Sequence, residues 1–106
     1  MCIRDRVFGP FVTVTTFRDD AEATALANST EYGLGGGLWT TNLSRAHRMA
    51  KSMKAGMVWV NSYKRVSPGS PFGGVGNSGY GREMGFEAMH EYTEPKSVWI
   101  LSLIHI

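Results

Sequence analysis

A thiolate is the strongest side-chain nucleophile at neutral pH. This 106-residue chain holds one cysteine, Cys2, and none after it. A disulfide framework and a cysteine-based metal cluster are therefore both excluded. Glu87-x-x-His90 is half of a di-metal helix motif, but no second copy exists. His90-Glu91 is not followed by the second histidine that a zinc helix requires. His47 and His90 accordingly read as helix-surface or packing residues, and no metal is expected. The glycines at 33 and 35–37 invite comparison with a dinucleotide fingerprint. They lack the strand-to-helix setting and the later glycine spacing with a downstream acid. Gly73 to Gly81 is not a phosphate loop either, since no Lys-Ser/Thr follows. Asn61 ends an apolar run. Its side chain can face a site or tie down the following loop, and the tying role is favoured. Arg82 and Glu83 read as a charge pair that fixes the glycine-rich stretch before them.

The elements that would position these groups follow from periodicity. Phe11 to Phe17 is rich in β-branched and aromatic residues and predicts a strand. Asp19 and Glu22 form a capping box for a helix that carries Ala23, Leu26 and Ala27 and stops at Asn28-Ser29-Thr30 and Gly33. Leu34 to Thr40 predicts a short strand. Asn42 caps a second helix with Leu43, Ala46, Ala50 and Met53 on its apolar face and Gly56 as C-cap. Met57 to Asn61 predicts a strand covered on both faces. Strand, helix, strand, helix, strand with short connections is a parallel-type α/β pattern. Ser62 to Arg82, with six glycines and two prolines, breaks it as a long loop of the kind that often carries function. Glu83 to Tyr92 predicts a third helix with Phe86 and Met89 inward, stopped by Pro95. Ser97 to Ile100 predicts a last strand whose free edge asks for a partner. Trp39, Trp59 and Trp99 sit at strand positions and are core candidates.

Composition bounds the rest. About 42% of residues are hydrophobic, and the net charge of +2 comes from 11 basic and 9 acidic residues. No long basic run, apolar span or secretory signal is present, so neither nucleic acid nor membrane is expected as a partner, and the location expected is cytoplasmic. The hexapeptides Met1–Arg6 and Leu101–Ile106 fit no periodicity and resemble translated adapter sequence. Residues 1–6 are read as a non-native leader and 101–106 as a non-native tail.

Several short motifs occur in a telling order. They are Val7-Phe8-Gly9-Pro10, Tyr32-Gly33-Leu34, Trp59-Val60-Asn61, Pro71-Phe72-Gly73-Gly74, Ser78-Gly79-Tyr80-Gly81-Arg82-Glu83 and Tyr92-Thr93. In this order and spacing they resemble the NAD(P)-dependent aldehyde dehydrogenase superfamily. The resemblance runs from about Val7 to Ile100. It implies an α/β fold in which residues 7–96 form the C-terminal part of the catalytic domain, with its β-α-β-α-β order and glycine-rich loop 62–82. Residues 97–100 would be a strand that pairs with a neighbouring subunit in a homo-oligomer.

The same resemblance implies a reaction. An aldehyde is oxidised to a carboxylic acid through a cysteine thiohemiacetal, with NAD or NADP taking the hydride. The nucleophile, the general base and the oxyanion asparagine all lie upstream in the family, so none of the catalytic side chains is expected in this chain. Cys2 matches nothing in the family. Phe8 corresponds to the phenylalanine beside the nicotinamide ribose. The glutamate that binds the ribose hydroxyls has Arg6 in its place, inside the suspected leader. Phe72 corresponds to an aromatic that lines the aldehyde tunnel, and Tyr63 and Val66 lie on the same approach loop. Val75-Gly76-Asn77 departs from the common Tyr-Lys form of this segment and leaves the subfamily open. Two alternatives stand beside the main one: a non-enzymatic oligomerisation or binding module, and part of a semialdehyde dehydrogenase that makes a CoA thioester.

Overall fold

The structure, a computed structural model, describes residues 9–101. Phe8, Cys2 and the two terminal hexapeptides, Leu101 apart, lie outside the described residues. Asp19 opens the first helix, α1 (Asp20–Ala27), by accepting a hydrogen bond from the Glu22 amide at 2.8 Å. Glu22 reaches back as well, but one residue further than the capping box requires. Its Oε2 accepts from the Arg18 amide at 2.8 Å and from the Arg18 side chain at 3.0 Å. Asn28 caps the far end, as its place after the periodic run predicts. Its side chain also crosses to the end of the second helix, donating to the Ser52 carbonyl (2.9 Å) and accepting from the Lys54 amide (2.8 Å).

Short strands follow: β1 (Tyr32–Gly33) and β2 (Gly35–Leu38). Helix α2 (Leu43–Ser52) starts at Asn42, whose side chain accepts from the Arg45 amide at 2.9 Å. It leads into β3 (Met57–Val60), and β2 and β3 pair in parallel with Gly35 opposite Met57 and Leu38 opposite Val60. The β-α-β unit expected from residues 34–61 is therefore present. A two-residue strand β4 (Val75–Gly76) pairs antiparallel with β1.

Three expectations fail. Phe11 to Phe17 joins no ladder among the described residues, and Val14 is 87% exposed. β propensity favours extended backbone, but a strand also needs a neighbour to bond to. Ser97 to Ile100, expected to pair with a neighbouring subunit rather than within the chain, lies in no ladder among the described residues, and Trp99 is 94% exposed. The predicted third helix shrinks to a 3-10 helix, Phe86–Glu91, because Glu83 is taken up by a bridge to Phe72 and Gly85 sits at a φ of 64°. Phe86 and Met89 face out rather than in. Helix α2 ends at Met53 rather than at Gly56, and its buried positions are Ala46 and Met49, while Leu43 is exposed.

Among the described residues the buried apolar side chains are Leu38, Ala46 and Met49, where α2 packs on the β2–β3 pair. Trp59 is half-buried, and Trp39 and Trp99 are exposed, so the core does not use the three tryptophans as expected. No helix among the described residues is long and apolar enough to cross a membrane.

The helices are joined by a branched ion pair. The Asp20 carboxylate accepts from Arg48 at 2.6 Å and from Arg45 at 3.0 Å. The hydrogen bond from Arg48, then that from Arg45, holds the Asp20 carboxyl below its ordinary value of 3.8. A depressed carboxylate stabilises the helix pair above that ordinary value, and the contribution is lost as pH falls through the depressed one. An NMR titration of the Asp20 carboxyl in a complete, folded subunit is expected to give a midpoint below 3.8. Changing both Arg45 and Arg48 to Gln is expected to return it toward the ordinary value.

Candidate functional site

Strand alternation sends Met57 and Trp59 to one side of the β2–β3 pair. On that side β2 offers glycine. A Cβ on Gly35 would stand 2.7 Å from the Trp59 ring, so the glycine makes room for the indole. This accounts physically for the run of glycines that superficially resembles a dinucleotide loop. The Trp59 Nε1–H donates to the Arg65 carbonyl at 2.7 Å and draws the following loop back over the sheet. Tyr63 meets Trp59 edge to face, with ring centroids 5.1 Å apart and planes at 64°.

The result is an open apolar concavity of about 380 Å³. Tyr63, Val66 and Phe72, the three loop residues singled out from sequence, all line it, joined by Leu34, Met57 and Trp59. Lys64 is its one charged lining residue, with the Nζ 6.0 Å from the Tyr63 ring centroid. Sequence reasoning assigned Trp59 to the core and missed Leu34, Met57 and Lys64. The signal for Met57 was there, since it shares a strand face with Trp59. Nothing in the spacing marked Lys64.

Backbone contacts fix Phe72 in this wall. Its amide donates to the Glu83 carbonyl at 2.6 Å, and the Glu83 amide donates back at 2.7 Å. Arg82 closes the same loop from inside, with Nη1 donating to the carbonyls of Gly74 (2.8 Å) and Gly81 (2.6 Å). The expected Arg82–Glu83 charge pair is absent. Among the described residues the ion pairs join Arg18 to Glu22 and Asp20 to Arg45 and Arg48. Arg82 does fix the glycine-rich loop, through carbonyl oxygens rather than a carboxylate. Ser78 adds a further tie, its Oγ accepting from the Gly33 amide at 2.9 Å.

Asn61 is structural, as favoured, but it holds a different segment. Its Oδ1 accepts from the Thr40 amide and its Nδ2 donates to the Thr40 carbonyl, both at 2.9 Å. It thereby prolongs the β2–β3 ladder by one side-chain rung and clamps the exit of β2, not the loop after β3. His47 and His90 are exposed, and no group of three metal-ligating side chains occurs among the described residues.

Comparison with known proteins gives one consistent match. The model of the aldehyde dehydrogenase family matches residues 1–98. The (Z)-2-((N-methylformamido)methylene)-5-hydroxybutyrolactone dehydrogenase of Acinetobacter baylyi is 53% identical over 98 residues, covering 92% of this chain and 20% of that protein. The NADP/NAD-dependent aldehyde dehydrogenase PuuC of Escherichia coli is 46% identical over 97 residues, with 92% and 20% covered. Among solved structures, PnpE of Pseudomonas sp. WBC-3 superposes with a TM-score of 0.86 at 72% identity over 91% of this chain and 20% of that one. PnpE has also been solved with nicotinamide adenine dinucleotide. The chain spans about a fifth of the length of the curated relatives it matches.

Proposed function

The chain belongs to the aldehyde dehydrogenase family, and from that premise we propose that it is the C-terminal part of the catalytic domain of an NAD(P)-dependent subunit, where it walls the aldehyde's approach. The observation that carries this is the convergence of Tyr63, Val66 and Phe72 on one apolar concavity. Such a surface takes the hydrocarbon part of an aldehyde out of water and leaves the carbonyl to be oriented by groups elsewhere in the subunit. The complete subunit oxidises the aldehyde to a carboxylic acid through a cysteine thiohemiacetal, and NAD or NADP accepts the hydride. That cysteine is supplied from outside this chain, which holds no cysteine after Cys2.

The described residues do not by themselves fit a dinucleotide. Gly35 and Gly37 pack against Trp59 and Tyr63, and the 73–81 loop turns carbonyls onto Arg82. This chain's proposed share in cofactor binding is Phe8, beside the nicotinamide ribose. Residues 97–100 are proposed as the strand that pairs with a neighbouring subunit of a homo-oligomer. Their exposed side chains, outside any ladder among the described residues, support this.

Grafting tests the proposal. In a complete relative such as the Escherichia coli enzyme, the matching fifth would be replaced by this chain. The chimera is expected to keep NAD(P)-dependent aldehyde oxidation. The 106 residues alone are expected to give no hydride transfer above blank. A folded, cofactor-binding chimera without activity, or a chain active on its own, would sink the proposal.

A further inference from the structure

We propose that Lys64 makes the concavity selective for aldehydes that carry an anionic group, a carboxylate above all, at the end remote from the carbonyl. This rests on reading the concavity as the aldehyde's approach. Its walls are the apolar side chains of Leu34, Met57, Val66 and Phe72 and the rings of Trp59 and Tyr63. No acidic residue lines it. Lys64 is its single charge, and among the described residues Lys64 has no ion-pair partner. A cation against low-dielectric walls, with no counter-charge among the described lining residues, focuses its field into the opening.

The backbone supports the assignment. Lys64 lies in the left-handed region, at a φ of 56°, which a long non-glycine side chain rarely adopts. Asn61, also left-handed at 54°, is a residue type that tolerates this conformation and is repaid by its rung on Thr40. No hydrogen bond of this kind offsets the strain at Lys64. Strain without local compensation is found where a side chain has to be presented. Here it places the ammonium near the Tyr63 ring, 6.0 Å from the centroid, on a residue that lines the concavity. A neutral aldehyde gains apolar burial in this site. One whose remote carboxylate reaches the ammonium gains an ion pair as well. That pair stays at the wet rim, so neither charge suffers the full desolvation of a buried bridge.

The test uses the complete chimeric subunit and two aldehydes of similar shape, 4-formylbenzoate and 4-methylbenzaldehyde. The unmodified chimera is expected to show the lower KM for the anionic aldehyde. Lys64→Gln should shrink the KM ratio about fivefold, the scale of an exposed ion pair, and Lys64→Arg should restore most of it. Lys64→Gly, which removes charge and strain together, should match Lys64→Gln. High salt should weaken the preference without any substitution. An active chimera whose KM ratio is unchanged by Lys64→Gln and by salt would overturn the inference and leave the reading of the concavity standing. A folded chimera that oxidises neither aldehyde would overturn both.

Discussion

Alanine at Gly56 is expected to destabilise the complete subunit by about 3 kcal/mol or more, at the upper end of what overpacking costs. The sequence suggests a helix cap at this position, but the structure gives it another task. The Gly56 amide donates to the Gly33 carbonyl at 3.0 Å, and its Cα face lies directly on the glycine-rich loop. An added Cβ would collide with the Gly73 carbonyl oxygen and stand 2.8 Å from the Gly73 carbonyl carbon and 3.1 Å from the Gly74 Cα. These are backbone atoms, so no rotamer change can make room. Gly74 is moreover held from its other side by Arg82. Relief would have to come from moving loop 73–81 away from β3, which would carry Phe72 out of the concavity. Gly69 is the control, because a Cβ there meets nothing within 4 Å, and alanine is expected to shift stability by about 1 kcal/mol or less. Urea unfolding of the two variants measures the difference. A midpoint for Gly56→Ala equal to that for Gly69→Ala would refute the close-crossing account.

The parts of the fold that were legible in the sequence are those specified by near neighbours. Asp19 and Asn42 start their helices where the capping rules place them, and the β2–α2–β3 unit is parallel as the alternation of elements implies. Local rules fail where the deciding partner is distant in sequence. Ala46 and Met49 are buried while Leu43 is exposed, and nothing within α2 distinguishes Met49 from Leu43 as the buried residue. β1 and β4 lie about forty residues apart and are two residues long, too short to leave a periodic signal. Glu83 looks like a helix start until its backbone is found bridged to Phe72. The candidate site divides in the same way. Tyr63, Val66 and Phe72 were found through family resemblance, whereas Lys64 depends on a backbone conformation that no spacing rule reports.

The second large effect concerns the chain by itself. The isolated 106 residues are expected not to behave as a monodisperse, cooperatively melting monomer. The chain exposes 9662 Å², where a compact monomer of its mass exposes about 5,900 Å². Its radius of gyration is 20.6 Å, against about 13 Å for a compact domain of this length. With Leu38, Ala46 and Met49 as its buried apolar side chains, hydrophobic burial has little to set against the entropy of ordering the backbone. The surface left uncovered includes many large apolar side chains. Phe11 to Phe17 and Val98 to Leu101 are exposed and lie in no ladder among the described residues, and they present backbone donors and acceptors beside aliphatic and aromatic side chains. Such edges recruit neighbours, so self-association is the expected failure. Sedimentation and a thermal scan of the purified chain decide the matter. Concentration-dependent assembly with a broad, non-cooperative melt is the expected result. A single species of 11.7 kDa with one sharp transition would mean that these faces close on each other in solution.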